Sequence, residues 1–413
     1  MADIDINGER LLTSLQEFGR IGALEGGGVC RLALTDEDKA GRDWVVAQMK
    51  ALGMNVTVDG IGNVVGVHAG REDLPPVMTG SHIDTVRTGG LYDGNYGVLA
   101  GLEVVRTLRD AGIRTRKPLA VAFFTNEEGS RFAPDMMGSL VFQGSLPLEA
   151  ALDTKGIDGT TVRENLERIG YRGSAPTRAM KVDSYVELHI EQGPVLDIEK
   201  IAIGAVEGVQ GISWTEFQVS GVSNHAGTTP MRLRHDAGHV AARVACFARE
   251  LAGELGGDQV ATVGSMTVFP NLVNVIANRV VLTVDLRNTD EAVLKSAEQR
   301  LWTFAEEAAA AEGVAISRRS LARFEPVAFH PELVSLVERT ARDMKFSVRR
   351  LPSGAGHDAQ ILARNCPAAM IFVPSVAGLS HNVREHTEPG DLVAGARVLF
   401  RVLTQLADQQ SVR

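Results

Sequence analysis

The sequence is poor in cysteine, has no leader-like start and contains no membrane-length apolar run, and each absence removes a class of protein. Only Cys30, Cys246 and Cys366 occur in 413 residues. An odd, widely spaced set excludes a disulfide framework and a cysteine-based zinc site. No apolar span reaches the ~20 residues that a membrane helix needs. The start Met1-Ala2-Asp3-Ile4-Asp5 has neither a basic nor an apolar leader region, so a reducing cytoplasm is the expected location. Basic charge is in the minority: 42 Lys and Arg stand against 51 Asp and Glu, for a net charge of −9. Without a basic stretch, nucleic acid and anionic membranes are disfavoured as partners. A Gly-x-Ser-x-Gly elbow is missing, which argues against a serine hydrolase. No internal repeat or low-complexity tract stands out.

What is present describes a soluble α/β protein of more than one domain. The 44% hydrophobic and 23% charged content is ordinary for a globular chain, and the length exceeds one typical core. Thr35 caps an expected helix through Trp44, Val45, Met49 and Leu52 that Gly53 stops. Extended segments follow at 55–58 and 63–67, and Val77-Met78-Thr79 leads towards His82. Residues 98–108 read as a helix and 119–124 as a buried strand, which gives α/β alternation. From about residue 212 the pattern changes to strand, helix 236–255, strands 261–269 and 279–286, helix 290–311, and a strand beginning at 314. That order, β-α-β-β-α-β, predicts a ferredoxin-like α+β insertion. The first pattern resumes near residue 325, with helix at 333–344 and strand at 368–373. The expected division is therefore 1–211 and 326–413 for the α/β domain and 212–325 for the inserted one.

The chemistry-bearing residues sit in short segments beside these apolar runs: Gly80-Ser81-His82-Ile83-Asp84, Tyr92-Asp93-Gly94, Asn126-Glu127-Glu128-Gly129, Leu188-His189-Ile190-Glu191-Gln192 and Leu379-Ser380-His381-Asn382. Imidazole and carboxylate donors suit zinc or manganese, and a carboxylate can bridge two ions where one imidazole nitrogen cannot. His82, Asp93, Glu128, His189 and His381, with one bridging carboxylate, suffice for two ions. Adjacent Glu127 and Glu128 cannot point the same way from an extended backbone, so one can ligate while the other acts as a base towards water. Taken singly, each such His or Asp is more often a hydrogen-bonded turn or cap residue. The acid pair is harder to dismiss, because it ends the apolar run Leu119 to Phe124, where burial without cations is costly.

Together these segments resemble the group of N-carbamoyl-L-amino acid hydrolases, allantoate amidohydrolases and β-ureidopropionases, dinuclear-metal amidohydrolases related to aminoacylase and carboxypeptidase G. The similarity runs from Gly26-Gly27-Gly28 and Arg31 through Asn382. It implies a metal-dependent exopeptidase-like catalytic domain with an inserted lid and dimerisation domain, and two divalent ions per subunit. By the resemblance, Asp93 bridges, His82 and His189 complete one site, Glu128 and His381 the other, and Asp84 orients His82 as an outer carboxylate. Glu127 is the implied base. Further segments resemble the group's substrate-gripping parts: His225 would polarise the scissile carbonyl, Arg287 would hold a carboxylate, Gln192 and Asn274 would read ureido or nearby polar groups, and Gly356 and His357 would line the pocket. Arg287 has an alternative reading as a surface strand residue paired with Asp285. Where relatives often have Pro-Gly after Asn-Val-Ile, this chain has Ala277-Asn278, and Asn278 can take a left-handed backbone. His386, five residues after His381, is kept as an outer residue only.

The resemblance implies hydrolysis of the amide C–N bond of an N-carbamoyl (ureido) carboxylate, with an N-carbamoyl-L-amino acid as substrate. Allantoate or ureidoglycolate is the alternative. A small-molecule substrate, a homodimer joined through lids and no nucleic-acid or membrane partner are expected. A metal-stabilised scaffold without catalysis is the reading of another class, and Glu127 beside Glu128 argues against it.

Overall fold

The computed structural model describes residues 4–178 and 180–408. The chain divides into two compact units: one comprises the residues up to Gly208 together with those from Ala328 onward, the other Val209–Val327. The second unit starts a little before the expected residue 212. The reason is local: the strand Ile203–Val209 is followed after one residue by the strand Gly211–Ser220, whose alternation becomes visible only near Thr215.

The first unit is built on a nine-stranded mixed sheet. Its centre is four adjacent parallel strands, in the spatial order Leu119–Phe124, Val77–His82, Ser184–Ile190 and Ala368–Val373. Every residue of these four strands is buried. That explains their near-continuous apolar runs: strands covered on both faces do not alternate. Each fully buried Val, Leu or Phe contributes about 1.5–3 kcal/mol. The helices Asn95–Asp110 and Pro389–Asp408 bring long apolar faces to this sheet. Helix Asp36–Ala51 starts where expected, with Thr35 accepting a hydrogen bond from the Asp38 N–H, and stops before Gly53 at φ +70°. No helix among the described residues is long and apolar enough to cross a membrane.

The second unit is a four-stranded antiparallel sheet with two helices on one face. The strands lie in the order Ala315–Phe324, Gly211–Ser220, Arg279–Asn288, Val260–Phe269, which is the ferredoxin-like arrangement of the predicted β-α-β-β-α-β sequence. Helix Ala237–Leu255 is capped by Asp236 and helix Glu291–Glu312 by Asp290. Their Val240, Val244, Leu251, Leu294 and Leu301 pack on Phe217, Val219, Val280, Leu282, Val284 and Leu286. The alternate residues of strand Arg279–Asn288, Arg287 among them, face away from this core and are half-buried or exposed.

Candidate metal centre

The four parallel strands end on one side, and their carboxyl ends deliver the predicted ligands, as expected for an open α/β sheet. His82 is the last residue of Val77–His82. The pair Glu127 and Glu128 follows Leu119–Phe124 through Asn126, which takes a left-handed φ of 56°. His189 lies one residue from the end of Ser184–Ile190, and the chain after Ala368–Val373 leads to His381 at φ 53°. Asp93 comes from the turn that opens helix Asn95–Asp110. Gly94, at φ +67°, is required there, because a Cβ would stand 2.4 Å from the His82 ring.

Asp93 is the centre of the cluster. Its Oδ1 lies 3.2 Å from His189 Nε2 and 3.5 Å from His82 Nε2, while Oδ2 lies 3.4 Å from His381 Nε2. The second Nε2 contact of His381 is Glu128 Oε2, at 3.4 Å. Two three-residue donor sets result, His82 with Asp93 and His189, and Asp93 with Glu128 and His381. They share Asp93, one oxygen facing each set. His82 Nδ1 donates to the Asp84 carbonyl at 2.9 Å and His189 Nδ1 to the Ile190 carbonyl at 2.8 Å. These acceptors assign a proton to Nδ1 and leave Nε2 as the atom facing Asp93 on both rings, donating to it in the free chain and open to a cation once that proton is lost. Glu127 Oε2 approaches His82 Nε2 at 3.4 Å and belongs to neither set.

The electrostatics favour divalent cations. Among the described residues, the recorded ion-pair partners of Asp93, Glu127 and Glu128 are imidazoles rather than Lys or Arg. Burial pushes Glu127 well above the usual carboxylate range and Glu128 up to about 8. Burial also acts to raise Asp93, but the hydrogen bonds with His189, His381 and His82 hold it well below its ordinary value. The hydrogen bond to Asp93 lifts His381 to about 9. Protons therefore do in part what positive ions would do better, and the imidazole and carboxylate donors suit such ions.

Several expected roles change. The Asp84 carboxylate lies 4.0 Å from His82 Nδ1, and it is the Asp84 main-chain carbonyl that orients the ring. The carboxylate instead accepts from the N–H groups of Glu127 at 3.2 Å and Glu128 at 3.3 Å, fixing the acid pair. Gln192 donates to Asp93 Oδ2 at 2.9 Å and Ser380 Oγ at 3.2 Å, so its amide nitrogen is committed to the ligand set rather than to a ureido group. His357 is buried under His189, with ring centroids 4.6 Å apart and its Nε2 at 3.0 Å from Ser353 Oγ. It supports the His189 ring and does not line an open pocket, while Gly356 beside it is half-buried. A further donor group, Glu187 with His189 and His357, is already engaged: Glu187 accepts from Ser81 Oγ at 2.6 Å and the Ala359 N–H at 2.8 Å.

The remaining predicted residues belong to the second unit. His225 is exposed in a loop, and its Nδ1 accepts from the Gly227 N–H at 3.0 Å and the Thr228 N–H at 3.3 Å, which leaves Nε2–H as a donor. The Asn274 carbonyl accepts from the Ala226 N–H at 2.9 Å, tying the two loops together. Asn278 keeps an ordinary backbone, and the left-handed residue nearby is Asn271, with φ 59°. Arg287 forms a forked pair with Asp285, Nη2 to Oδ2 at 2.9 Å and Nε to Oδ1 at 3.2 Å, the arrangement of its alternative reading. His386 contacts Glu388 at 3.6 Å, lies tilted against Tyr92 with ring centroids 6.4 Å apart, and stands outside both donor sets.

Sequence reasoning missed Glu385 and Asp358. Glu385 is buried against the Asp93 turn; its only sequence signal was its place beside His386, where Glu388 looks equivalent. Asp358 is fully buried, and burial pushes it up to about 8, with Ser139 acting the other way.

A fold with imidazole and carboxylate donors at parallel strand ends and a small inserted unit defines the class, and the chain belongs to Peptidase family M20/M25/M40, matched over residues 78–405. Within that family it is 41% identical over 404 residues to the N-carbamoyl-L-amino-acid amidohydrolase of Rhizobium meliloti, covering 98% of this chain and 97% of that one. It is 33% identical to the allantoate amidohydrolase of Bacillus subtilis (strain 168), covering 95% and 96%. The crystal structure of an amidase of the hydantoinase/carbamoylase family from Burkholderia multivorans superposes with a TM-score of 0.96 at 46% identity, over 98% and 99% of the two chains.

Proposed function

We propose that the chain is a metal-dependent amidohydrolase that cleaves the amide C–N bond of an N-carbamoyl-L-amino acid, giving the L-amino acid, carbon dioxide and ammonia. The observation that carries this is Asp93, with Oδ1 directed to His82 and His189, Oδ2 to His381, and a second carboxylate, Glu127, beside the set but outside it. Two zinc or manganese ions are the cations that this donor set suits. Bound there, they supply positive charge that polarises a carbonyl oxygen and makes water more acidic.

The chain's own residues do the rest. His82, His189 and Asp93 would hold one ion, and Asp93, Glu128 and His381 the other. Glu127, whose carboxyl two neighbouring cations would keep ionised against the effect of burial, takes a proton from the attacking water and passes it to the leaving nitrogen. His225 offers Nε2–H to the carbonyl oxygen, Asn274 and the Gly356 main chain offer polar contacts, and Arg287 exchanges Asp285 for the substrate carboxylate, which has the same planar geometry. The chain works as a cytoplasmic homodimer through residues 209–327; the strand Val260–Phe269 supports this, lying at the sheet end with Val260 and Met266 exposed.

Ammonia release from N-carbamoyl-L-amino acids, β-ureidopropionate, allantoate and ureidoglycolate, each with zinc, manganese, cobalt and nickel, tests the reading. The highest kcat/KM is expected on an N-carbamoyl-L-amino acid. A preference for allantoate would transfer the assignment to the second reading, which the Bacillus subtilis relative favours. Turnover of none of these, with metal bound, would leave a scaffold.

A further inference from the structure

We infer that Glu385 is a positioning residue that fixes the shared carboxylate of Asp93 and thereby both metal sites at once; this rests on the two-ion reading above. Glu385 is buried, and its Oε1 accepts from two consecutive main-chain N–H groups, those of Tyr92 and Asp93, at 3.3 Å each. Its Oε2 accepts from Ser380 Oγ at 3.0 Å. Ser380 in turn accepts from Gln192, whose amide donates to Asp93 Oδ2 at 2.9 Å. One carboxylate therefore grips the Asp93 turn from behind and, through Ser380 and Gln192, reaches the front of the Asp93 carboxylate. Ser380 also precedes His381, so the same contact anchors the loop of the fifth ligand.

The turn is shaped to receive it. A Cβ on Gly90 would stand 2.0 Å from Glu385 Oε1, so the approach requires glycine at that position. Two backbone N–H groups in a turn have no ladder partners of their own, and a buried acceptor satisfies both. The contact needs an acceptor oxygen at Oε1, which Gln also provides. Asp93 is the one residue common to the two donor sets, so losing its support weakens both ions, whereas losing His381 weakens one.

The test uses the full-length chain stripped of metal and titrated with zinc and with manganese, the stoichiometry being read by elemental analysis. Outer partners of metal ligands are worth about 10–100-fold in affinity, so Glu385→Ala is expected to lower the affinity at both sites by that range, and Glu385→Gln, which keeps the acceptor at Oε1 but loses the one for Ser380 Oγ–H at Oε2, by clearly less. Ser380→Ala, too small a change to threaten folding, is expected to weaken both ions to an intermediate extent and serves if Glu385→Ala does not fold. Wild-type affinity at both sites in Glu385→Ala, or in Ser380→Ala when only that variant folds, would overturn the inference while leaving the two-ion reading intact. So would a Gln variant as damaged as the Ala variant, or a loss confined to one site. A wild-type chain that binds no divalent ion would overturn both readings together.

Discussion

Replacing Glu127 by Gln separates the base from the ligands more cleanly than any other single change. Gln keeps the volume of a residue that is 8% exposed, and the main-chain N–H of residue 127 remains held by Asp84. Neither donor set includes Glu127, so metal content should stay at the wild-type level. What disappears is the ability to accept a proton at Oε2, the atom 3.4 Å from His82 Nε2. General-base assistance contributes about 10²–10⁴-fold, which corresponds to about 2.7–5.4 kcal/mol of barrier at 1.36 kcal/mol per tenfold. The expected result is a kcat lower by that factor with a nearly unchanged KM, measured by ammonia release at saturating substrate on a preparation of known metal content. A kcat within about threefold of wild type, with metal retained, would refute the role. Loss of one metal equivalent would make Glu127 a ligand, and the division of labour between the adjacent acids would be wrong.

Chelation should abolish activity and a divalent ion restore it; His381→Ala should lose one equivalent of metal while His386→Ala, outside both donor sets, keeps two, and equal metal content in the two variants would reject the assignment. Metal uptake at neutral pH should expel protons, because the free chain holds them on His381, lifted to about 9, and on Glu128, raised to about 8; affinity should therefore climb as pH rises towards 9, and calorimetric heats that do not depend on the buffer's ionisation enthalpy would contradict this. Gly80→Ala should destabilise the first unit by at least the about 1–3 kcal/mol typical of overpacking, since its Cβ would meet the Ala122 carbonyl at 2.0 Å at φ +153°; an unchanged urea midpoint would count against that packing. Arg287→Ala should chiefly raise KM for carboxylate substrates, and an equal rise for a substrate amidated at that carboxylate would remove Arg287 from recognition.

Strand and helix placement was legible because its signals are local. The run 119–124 is apolar at every position and is a buried strand; Thr35 and Gly53 bracket the helix between them. The ferredoxin-like order followed from counting elements, and no long-range contact was needed to read it. The donor set was legible for a different reason. Imidazole and carboxylate in short segments beside apolar runs have few other uses when they occur five times in one chain. What stayed hidden is everything that a main-chain atom or a neutral partner does. The carbonyls of Asp84 and Ile190 orient the two imidazoles, but every residue has a carbonyl, so no residue type marks that role.

The same distinction explains the reassigned side chains. Gln192 reads as a substrate contact, and nothing marks Glu385, until three segments far apart in sequence, near residues 92, 192 and 385, converge on one residue. The backbone carries a trace of this convergence. Asn126, Gln192 and His381 all take left-handed φ values, 56°, 58° and 53°, without being glycine, a conformation that costs of order 1–3 kcal/mol each when the surroundings must enforce it. Each stands within three residues of, or is itself, a member of the candidate centre. Gly substituted at position 126 would relieve that local cost and should therefore leave the fold intact, yet loosen the turn that aims Glu127 and Glu128. If Asn126→Gly lowered turnover without lowering the unfolding midpoint, strain at this turn would be part of how the acid pair is held; if stability and turnover fell together, Asn126 would matter instead for the hydrogen bonds that its amide donates to Phe132 and Pro134.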